Sequence, residues 1–174
     1  MEQIMNTVTV IFPALSENEP FARSVVAAYC MRFDPTLDEL SDVKTAVSEA
    51  VTNCIVHAYA GTERGDVRLE CAAEGDTLHI TISDSGKGIA DVARAVEPFF
   101  TTLEEEERSG MGFTIMQTFM TAFEVQSRVG GGTRVTMRKR FGASARGKGL
   151  AEEEECGAGK GTETPHKGAA PAGC

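Results

Sequence analysis

Residues 36–59, TLDELSDVKTAVSEAVTNCIVHAY, form the segment around which the fold is predicted. Apolar side chains recur along it at spacings of three and four residues, which predicts one amphipathic helix. The segment also carries Glu49, Asn53 and His57 at i, i+4 and i+8. Residues at this spacing share one helix face, so these three polar side chains are expected to point the same way.

The flanking sequence predicts strands and further helices on both sides of this segment. Upstream, residues 5–13 alternate as a strand, and Ser16 with Glu19 forms a capping-box pattern before a helix that ends at Asp34-Pro35. Downstream, the patterns predict a hairpin of residues 66–73 and 77–83, a short helix at 91–96, a helix at 112–123, and a hairpin of 124–129 and 133–141. The expected fold is a two-layer α/β sandwich, with helices on one face of a mixed, mostly antiparallel sheet.

Composition separates one domain from a tail. The chain has 174 residues, of which 41% are hydrophobic, enough for a single core. Residues 1–141 are predicted to form that domain. Residues 142–174 are rich in glycine, alanine and glutamate and hold almost no large apolar side chain, so we expect a disordered tail.

The charge and cysteine content exclude several classes of protein. Acidic residues outnumber basic ones by 26 to 17, so a net charge of -9 disfavours direct binding to nucleic acid or anionic membranes. No membrane-spanning run or secretory leader is recognised, which predicts a cytoplasmic protein. Cys30, Cys54 and Cys71 lie within apolar patterns and are expected to be buried thiols rather than a disulfide framework.

Glu49 and Asn53 are the first candidate site residues. An amide oxygen is a hard, neutral ligand for magnesium, and a neighbouring carboxylate can accept a proton from an attacking hydroxyl. The alternative is a solvated helix face with an ordinary i,i+4 hydrogen bond. His57 alone is expected to be a structural histidine.

A second candidate is the motif Asp84-Ser85-Gly86-Lys87-Gly88 at the end of a predicted strand. The glycines allow a ligand to approach the backbone closely, and the Asp84 carboxylate can accept hydrogen bonds from a flat donor edge such as that of adenine. The alternative is a simple turn, because Asp, Ser and Gly also favour turns.

A third candidate lies around Gly110-Met111-Gly112, directly before a predicted helix. Backbone N–H groups at a helix start can seat a phosphate, and Arg108 could neutralise its charge. The alternative is a plain loop with a surface arginine. Residues 101–109, which include four consecutive glutamates at 104–107, are expected to form a mobile loop.

Two common nucleotide-binding classes are absent from the sequence. It contains neither a G-x-x-x-x-G-K-[ST] loop nor an H-R-D motif followed by D-F-G. A Walker-type NTPase and a eukaryotic-type kinase are therefore not supported. Gly130-Gly131-Gly132 is expected to be a hairpin turn rather than a dinucleotide fingerprint.

Taken together with Pro98-Phe99-Phe100-Thr101-Thr102, these motifs resemble the Bergerat-fold superfamily of ATPases and kinases, which includes gyrase, Hsp90, MutL and histidine kinases. Within it the chain is most similar to the anti-sigma serine kinases, and specifically to the anti-sigma F factors of sporulating bacteria. The resemblance covers residues 1–141, and its most distinctive stretch is RSGMGFTIM at 108–116. The acidic segment 104–107 departs from relatives that often carry a basic residue or a proline there.

The resemblance implies a role for individual residues of a magnesium-ATP site. It makes Glu49 the general base, Asn53 the magnesium ligand and Asp84 the reader of adenine. It places the remaining contacts at Gly86 and Gly88 around adenine, Thr101 in the lid, Arg108 at the terminal phosphate, Gly110, Met111 and Gly112 at the phosphates, and Thr133 in support of adenine. Arg23 matches an arginine that engages the sigma factor and its antagonist.

The resemblance also implies an activity and its partners. A homodimer would sequester a sigma factor, sigma F in the family, and would use Mg-ATP to phosphorylate a serine of an anti-anti-sigma protein. The alternatives are a stress-response switch kinase with another sigma partner, a detached histidine-kinase catalytic domain, and an ATP-gated binding module without kinase activity. A base at Glu49 disfavours the last of these, and no acceptor-histidine segment accompanies the domain to support the histidine kinase.

Overall fold

The computed structural model describes residues 6–60, 65–97 and 111–142. The strands in this part of the chain are β1 Thr7–Pro13, β2 Asp66–Glu74, β3 Thr77–Asp84, β4 Ala122–Arg128 and β5 Gly132–Arg140. The α-helices are α1 Glu19–Cys30, α2 Leu37–Asn53, α3 Val92–Ala95 and α4 Gly112–Phe119, with short 3-10 helices at Ser16–Asn18 and Met31–Phe33 and a π-helix at Cys54–Ala58.

The strands form one five-stranded sheet in the order β1-β2-β3-β5-β4. All four pairings among the described strands are antiparallel, so the parallel component that a mixed sheet allows is not seen there. Both predicted hairpins, β2–β3 and β4–β5, are confirmed. The return of β5 to the free edge of β3 brings the start of β5 beside the end of β3, which is where Asp84 lies.

The core lies between one face of the sheet and the helices, which confirms the two-layer α/β sandwich. Alternate residues of the strands point into it, so that aligned rows such as Leu69, Ile82 and Val135 cross the sheet. Helix α2 packs against both α1 and α4. It contributes Val43, Ala46, Val47, Ala50 and Val51 to the buried core.

The sequence predicted the start of α2 correctly, whereas the capping-box prediction upstream was wrong. Thr36 accepts a hydrogen bond from the backbone N–H of Glu39, and the Glu39 side chain accepts one from the Thr36 backbone, which together form a capping box. Ser16 instead begins a 3-10 helix, and no side chain caps α1.

The buried thiols behave as predicted. Cys30, Cys54 and Cys71 are buried and free. Burial raises the pKa of Cys30 and of Cys71 to about 12, so these thiols are inert apolar groups at neutral pH. None of the helices in the described ranges has the length and apolar content that a membrane crossing requires.

Candidate functional site

Glu49 and Asn53 lie on the last two turns of α2, and the structure places them against the first residue of α4. A Cβ added to Gly112 would lie 3.0 Å from Glu49 Oε2 and 3.5 Å from both amide atoms of Asn53. Any larger side chain at 112 would push against this pair. The Glu49–Asn53 pair and Gly112 therefore lie next to each other, although residues 49 and 112 are distant in sequence.

The start of α4 offers backbone donors next to this pair. The first backbone hydrogen bond of α4 runs from the Ile115 N–H to the carbonyl of Met111, at 2.8 Å. The N–H groups of a first helical turn have no partner inside the helix and favour an anion. In the same turn, Thr114 Oγ1 is buried and meets no hydrogen-bond partner in the structure as described. This end of α4 thus fits a phosphate group.

Asp84 is held at the end of β3 by donors from three elements. Its Oδ1 accepts a hydrogen bond from the Gly86 N–H at 2.9 Å and from the Thr133 N–H at 3.3 Å. The thiol of Cys54 also bonds to the carboxylate. Burial raises the pKa of Asp84, and these three hydrogen bonds oppose that rise. We call the half-buried space around this carboxylate the Asp84 pocket.

The loop after Asp84 approaches its neighbours so closely that glycine is required. A Cβ on Gly86 would lie 2.2 Å from the carbonyl oxygen of Ala58, which accepts the Lys87 N–H at 2.8 Å. Gly88 has a φ of +72°, and a Cβ there would lie 2.1 Å from the Arg128 carbonyl oxygen. The predicted glycines therefore shape the wall of the Asp84 pocket.

Two further residues fix this wall and were not predicted from the sequence. The Tyr59 hydroxyl donates to the Asp66 carbonyl at 2.8 Å and accepts the Ser85 N–H at 3.0 Å, so it ties the loop to the end of the helical segment. Ser127 Oγ accepts the Ile89 N–H at 2.8 Å. Nothing in local composition marks either residue, because both partners are remote in sequence.

The other predicted site residues fall into two groups. Arg23 lies on α1 with a side chain 41% exposed and pairs with Glu19 at 3.8 Å, and no contact among the described residues joins it to Glu49 or Asp84. Thr101, Arg108 and Gly110 lie outside the described residues, as do the rest of the predicted loop 101–109 and residues 143–174 of the predicted tail. Their predicted roles stay predictions.

The donor set suits a magnesium ion that is held mainly by phosphate and water. No cluster of three or more His, Cys, Asp or Glu side chains suited to a metal occurs in ranges 6–60, 65–97 and 111–142. Mg²⁺ in nucleotide sites commonly takes one or two protein oxygens plus phosphate oxygens and water. Asn53, beside Glu49 and Gly112, carries an amide oxygen of the kind that such a site uses.

Comparison with known proteins gives consistent results. The family described as histidine kinase-like ATPase domain matches residues 12–139. The anti-sigma F factor of Clostridium beijerinckii is 52% identical over 136 residues, covering 78% of this chain and 95% of that protein. The anti-sigma F factor of Anoxybacillus flavithermus is 52% identical over 134 residues, covering 77% and 92%.

A solved structure supports the fold. The RsbU and RsbW domains of a Mycobacterium tuberculosis protein superpose with a TM-score of 0.58 at 17% identity, over 78% of this chain and 32% of that one. At this identity the likeness concerns the fold alone. It agrees with the two-layer α/β sandwich of the described residues.

Proposed function

The chain belongs to the anti-sigma F factors, a family built on the histidine kinase-like ATPase domain, and from this membership we propose that it transfers the γ-phosphate of Mg-ATP to a serine of an anti-anti-sigma protein. The observation that carries the proposal is the meeting of the Glu49 carboxylate, the Asn53 amide and the start of α4 at Gly112. A base, a metal ligand and a phosphate seat then share one site.

The two ends of the nucleotide have separate places in this proposal. Adenine lies in the Asp84 pocket, where the carboxylate accepts from its amino group and Gly86 and Gly88 admit the ring edge. The phosphates lie at Gly110, Met111 and Gly112. Thr101 and Arg108 would complete the phosphate end from outside the described residues.

The proposed transfer breaks the bond between the γ-phosphorus and the oxygen of the ADP leaving group and forms one to the serine oxygen. Glu49 accepts the serine proton, which would raise the rate by about 10²–10⁴-fold if it acts as other general bases do. Asn53 would hold the magnesium ion, which when bound would supply charge neutralisation at the phosphates. The backbone donors of α4 stabilise negative charge that develops in the transition state.

The proposed biological role couples this transfer to sequestration. A homodimer would bind a sigma factor in the cytoplasm, with Arg23 on the exposed side of α1 as a contact. Phosphorylation of the antagonist would keep it from displacing the sigma factor. Which sigma factor is bound, sigma F or a stress-response one, is decided by binding assays with each.

The test is transfer of labelled γ-phosphate to a candidate anti-anti-sigma protein, with wild type, Glu49→Gln and Glu124→Gln compared. Glu124 is an exposed glutamate on β4 whose carboxylate accepts a hydrogen bond from the side chain of Gln126, two residues along the same strand. We expect Glu49→Gln to lower transfer by about 100-fold or more while ATP still binds, and Glu124→Gln to match wild type. Normal transfer by Glu49→Gln would refute the base assignment, and ATP binding without transfer by wild type would favour an ATP-gated binding module.

A further inference from the structure

The rows of side chains that face the core end in polar residues on one side of the sheet. One row is formed by Ile82, Val135 and Val125, all in register on neighbouring strands. Two residues further along each strand, the same face of the sheet carries Asp84, Thr133 and Ser127. Thr133 and Ser127 are direct cross-strand partners, and the Thr133 N–H donates to Asp84. Ser127 is therefore joined to the Asp84 pocket through Thr133.

The hydroxyl of Ser127 is engaged in three contacts at once. It accepts the Ile89 N–H at 2.8 Å, donates to the Gly132 carbonyl at 3.0 Å, and lies 2.8 Å from the hydroxyl oxygen of Thr133. A hydroxyl has one proton and two lone pairs. Because a carbonyl can only accept, the single proton of Ser127 goes to Gly132.

This proton count decides the direction of the third contact. With its proton used and one lone pair taken by Ile89, Ser127 can meet Thr133 only as an acceptor. Thr133 must then donate its own proton to Ser127. The hydroxyl oxygen of Thr133 is left with lone pairs alone for any other partner. The backbone N–H of the same residue donates to the Asp84 carboxylate, which in its charged form also only accepts.

A pocket wall made of acceptors discriminates between purines at position 6. A 6-amino group, as in adenine, donates hydrogen bonds to such a wall, whereas a 6-oxo group brings a further acceptor against it. We propose that Ser127 is a positioning residue that locks the Thr133 hydroxyl as an acceptor, and thereby makes the Asp84 pocket select 6-amino over 6-oxo purine nucleotides. The inference rests on the proposed function, in which ATP binds in this pocket.

Replacing Ser127 should weaken the preference for 6-amino over 6-oxo purines, which a general loss of rigidity in the pocket would not do. In Ser127→Ala, the Thr133 hydroxyl is released and can turn to donate to a 6-oxo group. A general loss of rigidity would weaken all nucleotides by the same factor. The ratio of the affinities for ATP and for inosine triphosphate, which carries a 6-oxo purine, therefore separates the two effects.

The experiment is calorimetric titration of the full chain with Mg-ATP and with Mg-ITP. We expect wild type to prefer ATP, and Ser127→Ala to lower the ATP-to-ITP affinity ratio by about fivefold, the worth of one hydrogen bond. Ser127→Thr, which keeps the hydroxyl, should restore the ratio. Thr118→Ala removes another hydroxyl, one bonded to a backbone carbonyl on the exposed side of α4, and should leave the ratio unchanged.

The outcomes separate failure of this inference from failure of its premise. A wild-type protein that binds neither nucleotide removes the proposed function and the inference with it. A wild type that binds ATP, with a ratio unaltered in Ser127→Ala, overturns the inference alone. If Ser127→Ala does not fold, Thr133→Val removes the same acceptor, and an unaltered ratio in that variant overturns the inference equally.

Discussion

At the scale of single residues, Asp84 is subject to opposing effects. Burial raises the pKa of its carboxyl group, while hydrogen bonds from Gly86, Cys54 and Thr133 favour the charged form, and the net direction is upward. The folded protein thus holds a proton on Asp84 at pH values where the unfolded chain has lost it. By linkage, the contribution of Asp84 to stability is greatest below the unfolded pKa of about 3.9 and declines as the pH rises through the folded value.

Replacing this carboxylate should therefore change stability and binding in opposite directions. In the nucleotide-free protein, we expect Asp84→Asn to gain unfolding free energy relative to wild type as the pH rises from about 4 to 7, because the amide removes a buried charge. Its affinity for ATP should fall by about tenfold or more, since an acceptor is lost. Urea unfolding across this pH range and calorimetric titration measure the two effects.

The matched control for Asp84 is Asp76→Asn. Asp76 lies in the exposed β2–β3 turn, where hydrogen bonds from Arg140 and Thr77 lower its pKa. This variant should keep wild-type ATP affinity, and its stability relative to wild type should vary little between about pH 4 and 7, since water screens this exposed pair. A stability difference for Asp84→Asn that does not vary with pH would contradict the account of the buried charge.

The site residues that could be predicted are those whose chemistry lies in local spacing. Glu49 and Asn53 share a helix face at i and i+4, and the Asp84 motif joins a carboxylate to glycines in sequence. Tyr59 and Ser127 act instead through Ser85 and Ile89, partners set by the register of the sheet and the course of the helix end. No local sequence pattern specifies which backbone groups these two side chains will contact.

At the scale of elements, the largest difference from prediction is the π-helix at the end of the segment 36–59. A continuous α-helix was predicted, but regular α-helix ends at Asn53 and residues Cys54–Ala58 follow with i→i+5 bonding. Apolar periodicity over five residues cannot separate these two forms. The π-turn carries the Ala58 carbonyl that bonds Lys87 and the Cys54 thiol that bonds Asp84, which agrees with the frequent location of such turns at functional sites.

Helix starts offer a direct test of what the sequence pattern could and could not decide. Thr36 forms the capping box of α2, whereas Ser16 matches the same pattern without forming one. We expect Thr36→Ala to cost about 1 kcal/mol of unfolding free energy, because the Glu39 backbone N–H loses its acceptor and the Glu39 carboxylate loses a donor. Ser16→Ala should stay within about 0.5 kcal/mol of wild type.

Denaturant unfolding of the two variants, with ATP affinity measured beside it, checks this expectation. Affinity should be unchanged in both, since the capped end of α2 lies more than three turns from Glu49. Equal losses of stability would mean that the capping box contributes nothing beyond helix propensity. The pattern alone did not distinguish the two sites, because a capping box also requires Glu39 to reach back to its own cap residue.

At the scale of the whole molecule, connectivity brings the site together. The two hairpins could be predicted from alternation, but the insertion of β5 between β3 and β4 is a non-local pairing that no local pattern specifies. That pairing sets Thr133 beside Asp84. The packing of α4 on α2 sets Gly112 against Glu49 in the same way. Residue types therefore indicated the chemistry, while long-range pairing determined its geometry.

One part-buried ion pair joins the layers that carry the two halves of the site. Lys139 on β5 donates to Asp42 on α2 at 2.9 Å and to the Phe119 carbonyl at the end of α4 at 2.7 Å, and its side chain is only 13% exposed. The next residue, Arg140, pairs with Asp76 at the same 2.9 Å, but with side chains 70% and 41% exposed. The two ion pairs thus have the same N···O distance but differ in how far their side chains are buried.

Double-mutant cycles on these neighbouring pairs measure how much burial contributes to holding the layers together. We expect Lys139→Met to cost about 2–3 kcal/mol of unfolding free energy, with a coupling of about 1–2 kcal/mol to Asp42→Asn, because a part-buried carboxylate and a carbonyl lose their donor. The coupling between Arg140→Met and Asp76→Asn should lie within the error of the measurement, since water screens an exposed pair. Equally small couplings in the two cycles would show that the part-buried pair does not join α2 and α4 to the sheet, and that apolar packing alone sets Gly112 against Glu49.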